Sequence, residues 1–142
     1  MKRAIMMCAA ALALVLTVGS VAFAADNEPA IGGYCPVAYA KMGKAIKGDA
    51  RWSSERDGQT FLFSAAQAKD LFDKSPDRYR VAYRGWCATG VAMARKIAAD
   101  PEIFTVHKGV TYLFSSAMAK TSFDEDPEAT IAKADKAWAS LR

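Results

Sequence analysis

The apolar positions of this chain fall into two matching blocks, each a strand pattern followed by a helix pattern. Residues 58–76, GQTFLFSAAQAKDLFDKSP, return as GVTYLFSSAMAKTSFDEDP at 109–127, a constant offset of 51 with 11 of 19 positions identical. Each block opens on a turn dipeptide. Asp57-Gly58 predicts a hairpin between residues 52–56 and 59–63, and Lys108-Gly109 one between 103–107 and 110–114. Phe61-Leu62-Phe63 is apolar on both faces, so its strand is expected to be covered on both sides. Ser64 with Gln67 has the spacing of a capping box, and Ala65, Ala68 and Phe72 form the buried stripe of the helix that follows. Ser75-Pro76 stops it. In the second block Ser115 is the expected cap, with Ala119 and Phe123 in the places of Ala68 and Phe72. Asp126-Pro127 then opens a last helix, in which Ile131, Ala134, Trp138 and Leu141 share one apolar face.

An aromatic–Cys pair precedes each block, Tyr34-Cys35 and Trp86-Cys87. Pro36 suits the first position of a helix, which places Cys35 at the cap of a short helix running to about Met42. The segment from Cys87 to Lys96 reads as a second helix with Val91, Ala94 and Ile97 or Ala98 on one face. The pattern is that of an α+β protein: two pseudo-repeated units (short helix, β-hairpin, helix) packed as one domain, plus a C-terminal amphipathic helix. The domain spans residues 32–142, with halves of about 34–83 and 86–131. Either half alone holds too little core to fold, so the halves are expected to pack on each other.

The first residues read as an address. Lys2 and Arg3 precede an apolar run at 4–21, and Ala22-Phe23-Ala24 fits a signal-peptide cleavage site, giving a signal peptide at 1–24 and a periplasmic or secreted protein. Cys8 leaves with that segment, and no membrane association is expected after cleavage. Residues 25–31 are polar with a proline and read as a disordered lead-in. Cleavage after 24 of the 142 residues leaves 118, with 17 basic and 15 acidic residues and a net charge of +2. That mild, scattered charge argues against nucleic acid as a partner.

Two cysteines remain for chemistry. In an oxidising compartment Cys35 and Cys87 can close a disulfide between the halves, worth about 4 kcal/mol in the chain-entropy model. Alternatively each stands at a helix N-terminus, where the thiolate that attacks disulfides or binds metal is favoured. Met42 and Met93 follow the cysteines by two helical turns. Two thiolates with two thioethers make a soft donor set suited to Cu(I). The blander reading makes both methionines core filler, and Met118 with them. His107 is the only histidine and sits beside a hairpin turn, where it is expected to be exposed and inert. A lone histidine excludes most histidine-based zinc sites and a Ser-His-Asp triad. Asp124-Glu125-Asp126 reads as helix-end and cap charge. Tyr34, Tyr39, Tyr79, Tyr83 and Trp86 crowd the cysteine segments, most of them as core. There is no P-loop, dinucleotide glycine motif or CxxC, and nothing marks the chain as an enzyme.

The stretch GYCPVAY, GKAIKGD, DGQTFLFSAAQAKDLFDKSPDRYRVAYRGWCATGVAMARKIAADPE resembles YHS domain-containing proteins of the exported bacterial type. The shared features are the Gly-Tyr-x-Pro-Val-Ala-Tyr start, the Gly-x-Thr-aromatic-x-Phe-Ser step, the Ser-Pro-x-x-Tyr exit and the aromatic-Cys-Ala-x-Gly-Val-Ala segment. The resemblance implies metal binding, copper included, and a metal-transport or redox protein as partner. Metal-type YHS domains carry a cysteine after Pro-Val and others around the Phe-Ser step. Here Ala38 follows Pro36-Val37, and residues 64–68 hold no cysteine, so a metal site has to be rebuilt from Cys35 and Cys87. Selenocysteine at a cysteine position in exported relatives implies redox reactivity. Three readings follow: a non-enzymatic binder of a soft transition metal, copper first, through Cys35 and Cys87 with Met42 and Met93 as helpers; a thiol-disulfide redox protein; and a structural module stapled by a disulfide between the halves.

Overall fold

A computed structural model describes residues 28–142. The signal peptide expected at 1–24, and residues 25–27 of the lead-in, lie outside the described residues. The chain is α+β. A short 3-10 turn (Ala30–Gly33) leads into α1 (Pro36–Met42), then the hairpin β1 (Asp49–Arg56) and β2 (Gln59–Phe63), then α2 (Ala66–Lys74). Two further 3-10 turns (Pro76–Tyr79 and Ala82–Gly85) connect to α3 (Ala88–Ala92), β3 (Asp100–His107), β4 (Val110–Phe114), α4 (Ala117–Glu125) and α5 (Pro127–Leu141). No helix among the described residues is long and apolar enough to cross a membrane.

Each hairpin is its own two-stranded antiparallel sheet. Both turn through a pair of positive-φ residues, Asp57 (51°) with Gly58 (72°) and Lys108 (49°) with Gly109 (79°). That pair of left-handed residues matches the right-handed strand twist, which is why the Asp-Gly and Lys-Gly signals were readable. The register slips in each sheet, between Asp49 and Ser53 and between Asp100 and Phe104. An aspartate starts each slip by folding its own backbone: Asp49 accepts from the Arg51 amide and Asp100 from the Glu102 amide, both at 2.9 Å.

The helix ends depart from expectation in three places. α2 begins on Ala65, which has no side-chain cap, so the Ser64–Gln67 capping box does not form. α4 is capped by Ser116, whose hydroxyl accepts from the Ala119 amide at 3.2 Å, and not by Ser115. α3 ends at Ala92 instead of running on to Lys96. Ala94 takes a left-handed φ of 57°, and the Met93 and Arg95 amides both return to the Gly90 carbonyl at 3.0 Å. Ile97 then folds back against Gly90, where an added Cβ would lie 3.0 Å from its side chain. By contrast α5 starts at Pro127 as expected, with Asp126 accepting from the Ala129 amide at 3.0 Å. Its stripe of Ile131, Ala134, Trp138 and Leu141 packs on the core.

Three apolar clusters hold the described residues together. One belongs to the first half, around Phe63, Phe72 and Cys35. Another belongs to the second half, around Phe114, Phe123 and Cys87. The third joins them through Ala30, Ile31, Tyr39 and Leu113. Ala30 and Ile31 are therefore core, at 5% and 7% exposure, and this end of the expected disordered lead-in is built into the fold. Tyr39 stacks edge-on against Phe104 at 4.7 Å and donates to the Pro101 carbonyl at 2.7 Å, which ties α1 to the second hairpin. The segment after α2 joins the edge of β4 through a parallel bridge between Val81 and Thr111.

Candidate functional site

Cys35 and Cys87 occupy corresponding places, each as the N-cap of a short helix. The Cys35 amide donates to the Ile46 carbonyl at 2.8 Å and the Cys87 amide to the Ile97 carbonyl at 2.9 Å, which locks each cysteine into its own half. Both thiols are free and buried, at 0% and 1% exposure, in different apolar clusters. They are not at disulfide distance, so no bond staples the halves. The Cys87 sulfur accepts from the Gly90 amide at 3.5 Å.

The methionines do not join them. Met42 and Met93 are 57% and 58% exposed, Met118 81%, so these are neither core filler nor partners of a buried thiol. Met42 is the last residue of α1, seven residues after Cys35, which at the helical rise puts it about 10 Å along the axis. Cys35 and Cys87 thus lie buried in separate clusters, while Met42 and Met93 are exposed at the ends of their helices. Among the described residues no group of three or more His, Cys, Asp or Glu side chains is placed to hold a metal ion.

His107 is only partly exposed. Its Nε2 lies 2.9 Å from Glu128 Oε1, and its ring stands edge-on to Phe123, so it fastens β3 to α5. Lys108 and His107 together hold the Glu128 carboxyl below its ordinary range. Asp124 accepts from the Thr105 hydroxyl at 3.1 Å.

A concavity lies away from the thiols and His107. A cleft of about 520 Å³ opens between the halves, where the two 3-10 turns after α2 meet the end of α5. Phe61, Phe72 and Tyr79 line the first-half side; Tyr83, Tyr112 and Trp138 line the second. Tyr83 anchors that second wall. Its hydroxyl donates to Asp135 Oδ1 at 2.9 Å and its ring packs edge-on against Trp138 at 5.8 Å. Burial first, and then the bond to Asp135, hold the Tyr83 hydroxyl protonated far above its usual range. Tyr83 and Arg84 both have φ of 53°, a costly conformation for residues with a Cβ. Ile31 and Gly32 repeat it at 52° and 60°, so it belongs to the local chain path as well as to the cleft.

Tyr79 and Tyr112 contribute hydroxyls that stand without a protein partner among the described residues. The residues are 4% and 6% exposed. Neither hydroxyl meets a hydrogen-bonding group among the described residues, and neither oxygen is sealed from solvent. Both side chains line the cleft. Four arginines surround it. Arg56 is spent on Asp77 at 2.9 Å and Asp57 at 3.6 Å, and Arg84 donates to the Asp57 carbonyl at 3.2 Å. Arg80 and Arg142 pair with no carboxylate among the described residues.

Sequence reasoning placed Tyr79 and Tyr83 near the cysteines, read Trp138 as part of the apolar face of the last helix, and passed over Arg56, Arg80, Arg84 and Tyr112. The one local signal was the alternation of basic and aromatic residues in DRYRVAYR at 77–84. Comparison of the chain with protein-family models, with curated proteins and with solved structures gives no match in any of the three.

Proposed function

We propose that this α+β protein is a non-enzymatic binding protein whose ligand site is the cleft between its halves. The observation that carries the reading is the pair of hydroxyls on Tyr79 and Tyr112, unpartnered on side chains that are more than nine-tenths buried and line that cleft. Both oxygens are open to solvent, so each is free to donate to a ligand that enters the cleft. The volume lies in the range of small-molecule sites. The lining offers aromatic faces, hydroxyls and guanidinium groups, which suit the binding of a small polar or aromatic molecule. With the expected leader, the protein would act outside the cytoplasm.

The test is an amide chemical-shift screen of the mature protein against a panel of small polar and aromatic molecules. Saturable shifts at residues 79–84 and 112 are expected, and they should vanish in Gln59→Trp, which fills the cleft from β2. No shifts there with any molecule, or shifts that persist in Gln59→Trp, would overturn the reading.

A second reading keeps copper. Both cysteines are free thiols, and the resemblance to exported YHS proteins supports soft-metal uptake by them, though their separate burial requires the cores to open first. Cu(I) affinity against a competing chelator is the measurement. An affinity unchanged in Cys35→Ala with Cys87→Ala ends this reading.

A further inference from the structure

The charge around the cleft says which ligands it would take. Its three carboxylates already have partners: Asp57 and Asp77 on Arg56, and Asp135 on the Tyr83 hydroxyl. Its surplus is on the donor side, in the guanidinium groups of Arg80 and Arg142 and the hydroxyls of Tyr79 and Tyr112. Arg80 is the best placed of these. Its backbone carbonyl accepts from the Thr111 amide at 3.1 Å, which fixes it beside the strand that carries Tyr112. Arg80 lines the same cleft as Tyr83 and Tyr112, and its positive charge opposes the effect of burial at both hydroxyls. Asp135 faces the same two hydroxyls with the opposite sign, and Glu128 adds a weaker negative influence at Tyr112.

We infer that the cleft binds a small organic anion, with its carboxylate or phosphate held by Arg80 and the Tyr112 hydroxyl and its planar apolar body against Trp138 and Tyr83. This rests on the reading of the cleft as a ligand site. A guanidinium fork and an adjacent hydroxyl match the oxygens of a carboxylate or phosphate. The aromatic walls and the volume of about 520 Å³ leave room for more than an inorganic ion. A cationic ligand would meet the guanidinium groups of Arg80 and Arg142, against which stands the Asp135 carboxylate, bonded to the Tyr83 hydroxyl.

Benzoate, phenyl phosphate, benzyl alcohol, benzylamine and inorganic phosphate, titrated into the mature protein and followed by amide shifts, separate the outcomes. Benzoate or phenyl phosphate is expected to bind at least about tenfold tighter than benzyl alcohol, the loss of one charge-assisted hydrogen bond. Which of the two binds tighter identifies the head group. Arg80→Gln should abolish that margin while leaving benzyl alcohol binding unchanged. Tyr112→Phe should narrow it with its ring packing intact. Because Arg80 is exposed, its variant should unfold at the parent temperature. Benzyl alcohol or benzylamine binding as tightly as benzoate would overturn the anion assignment and leave the cleft a ligand site. Inorganic phosphate binding as tightly as phenyl phosphate would mean an adventitious ion only. Binding of none of the five would overturn the cleft reading as well.

Discussion

The Tyr83 hydroxyl donates to Asp135 across 2.9 Å, and that single bond ties the turn before α3 to the C-terminal helix that forms one wall of the cleft. Fifty-two residues separate the partners, so the wall exists only once α5 has docked. Tyr83→Phe keeps the packing against Trp138 and removes only the bond. It should lower stability by about 1 kcal/mol, the usual worth of one hydrogen bond. Amide hydrogen exchange in α5 should rise more than in β1 and β2. Equal changes in both regions would mean that the bond does not act locally.

A missing cap offers a gain. Ala65 and Ser116 begin α2 and α4 with almost the same backbone, φ −159° and ψ 161° against φ −160° and ψ 164°. Only Ser116 has a hydroxyl to satisfy an amide of the first turn. Ala65→Ser should therefore stabilise the protein by about 1 kcal/mol, and Ser116→Ala should cost about as much. Denaturant midpoints check both.

The thiols should behave as two separate core groups. Native mature protein is expected to resist alkylation at Cys35 and Cys87 and to take up two labels only on unfolding, without any reductant. Cys35→Ala should cost about 1–3 kcal/mol, because it removes a buried sulfur packed with Val37, Phe63 and Phe72. A need for reductant before labelling would show a disulfide and refute the separation.

Asp49 carries the clearest pH dependence. Its carboxylate is held at a pKa of about 2, chiefly by the Arg51 guanidinium and then by the Arg51 amide. A depressed carboxylate contributes stability above its ordinary value near 4 and loses it as the pH falls through that value towards about 2. Solvent screening keeps the effect small. Carboxyl titration by NMR should show Asp49 moving upward in Arg51→Ala, with the β1 bulge loosening at acid pH.

Local signals made part of this molecule legible. The Asp57-Gly58 and Lys108-Gly109 turns and the 3–4 spacing of Ile131, Ala134, Trp138 and Leu141 are set by neighbours in sequence, so the pattern carries them. α3 was misjudged because Ala94, not a glycine, turns the chain left-handed, and only packing of Ile97 on Gly90 explains why. The recurrent spacing of thiols and methionines is legible in sequence, but their contrast in burial is not: the cysteines cap inward and the methionines end outward. The cleft was invisible for a different reason. Arg80, Tyr112 and Trp138 come from three segments that meet only in the folded chain, and each is ordinary by itself.

One amide chemical-shift map decides between cleft and thiols most directly, with benzoate added to one sample of the mature protein and Cu(I) to another. Saturable movement at residues 79–84, 112 and 138 with benzoate, and no movement at 35–46 or 87–97 with Cu(I), is the expected result. Stoichiometric movement of the two cysteine segments with Cu(I), beside a cleft that responds to nothing, would contradict it.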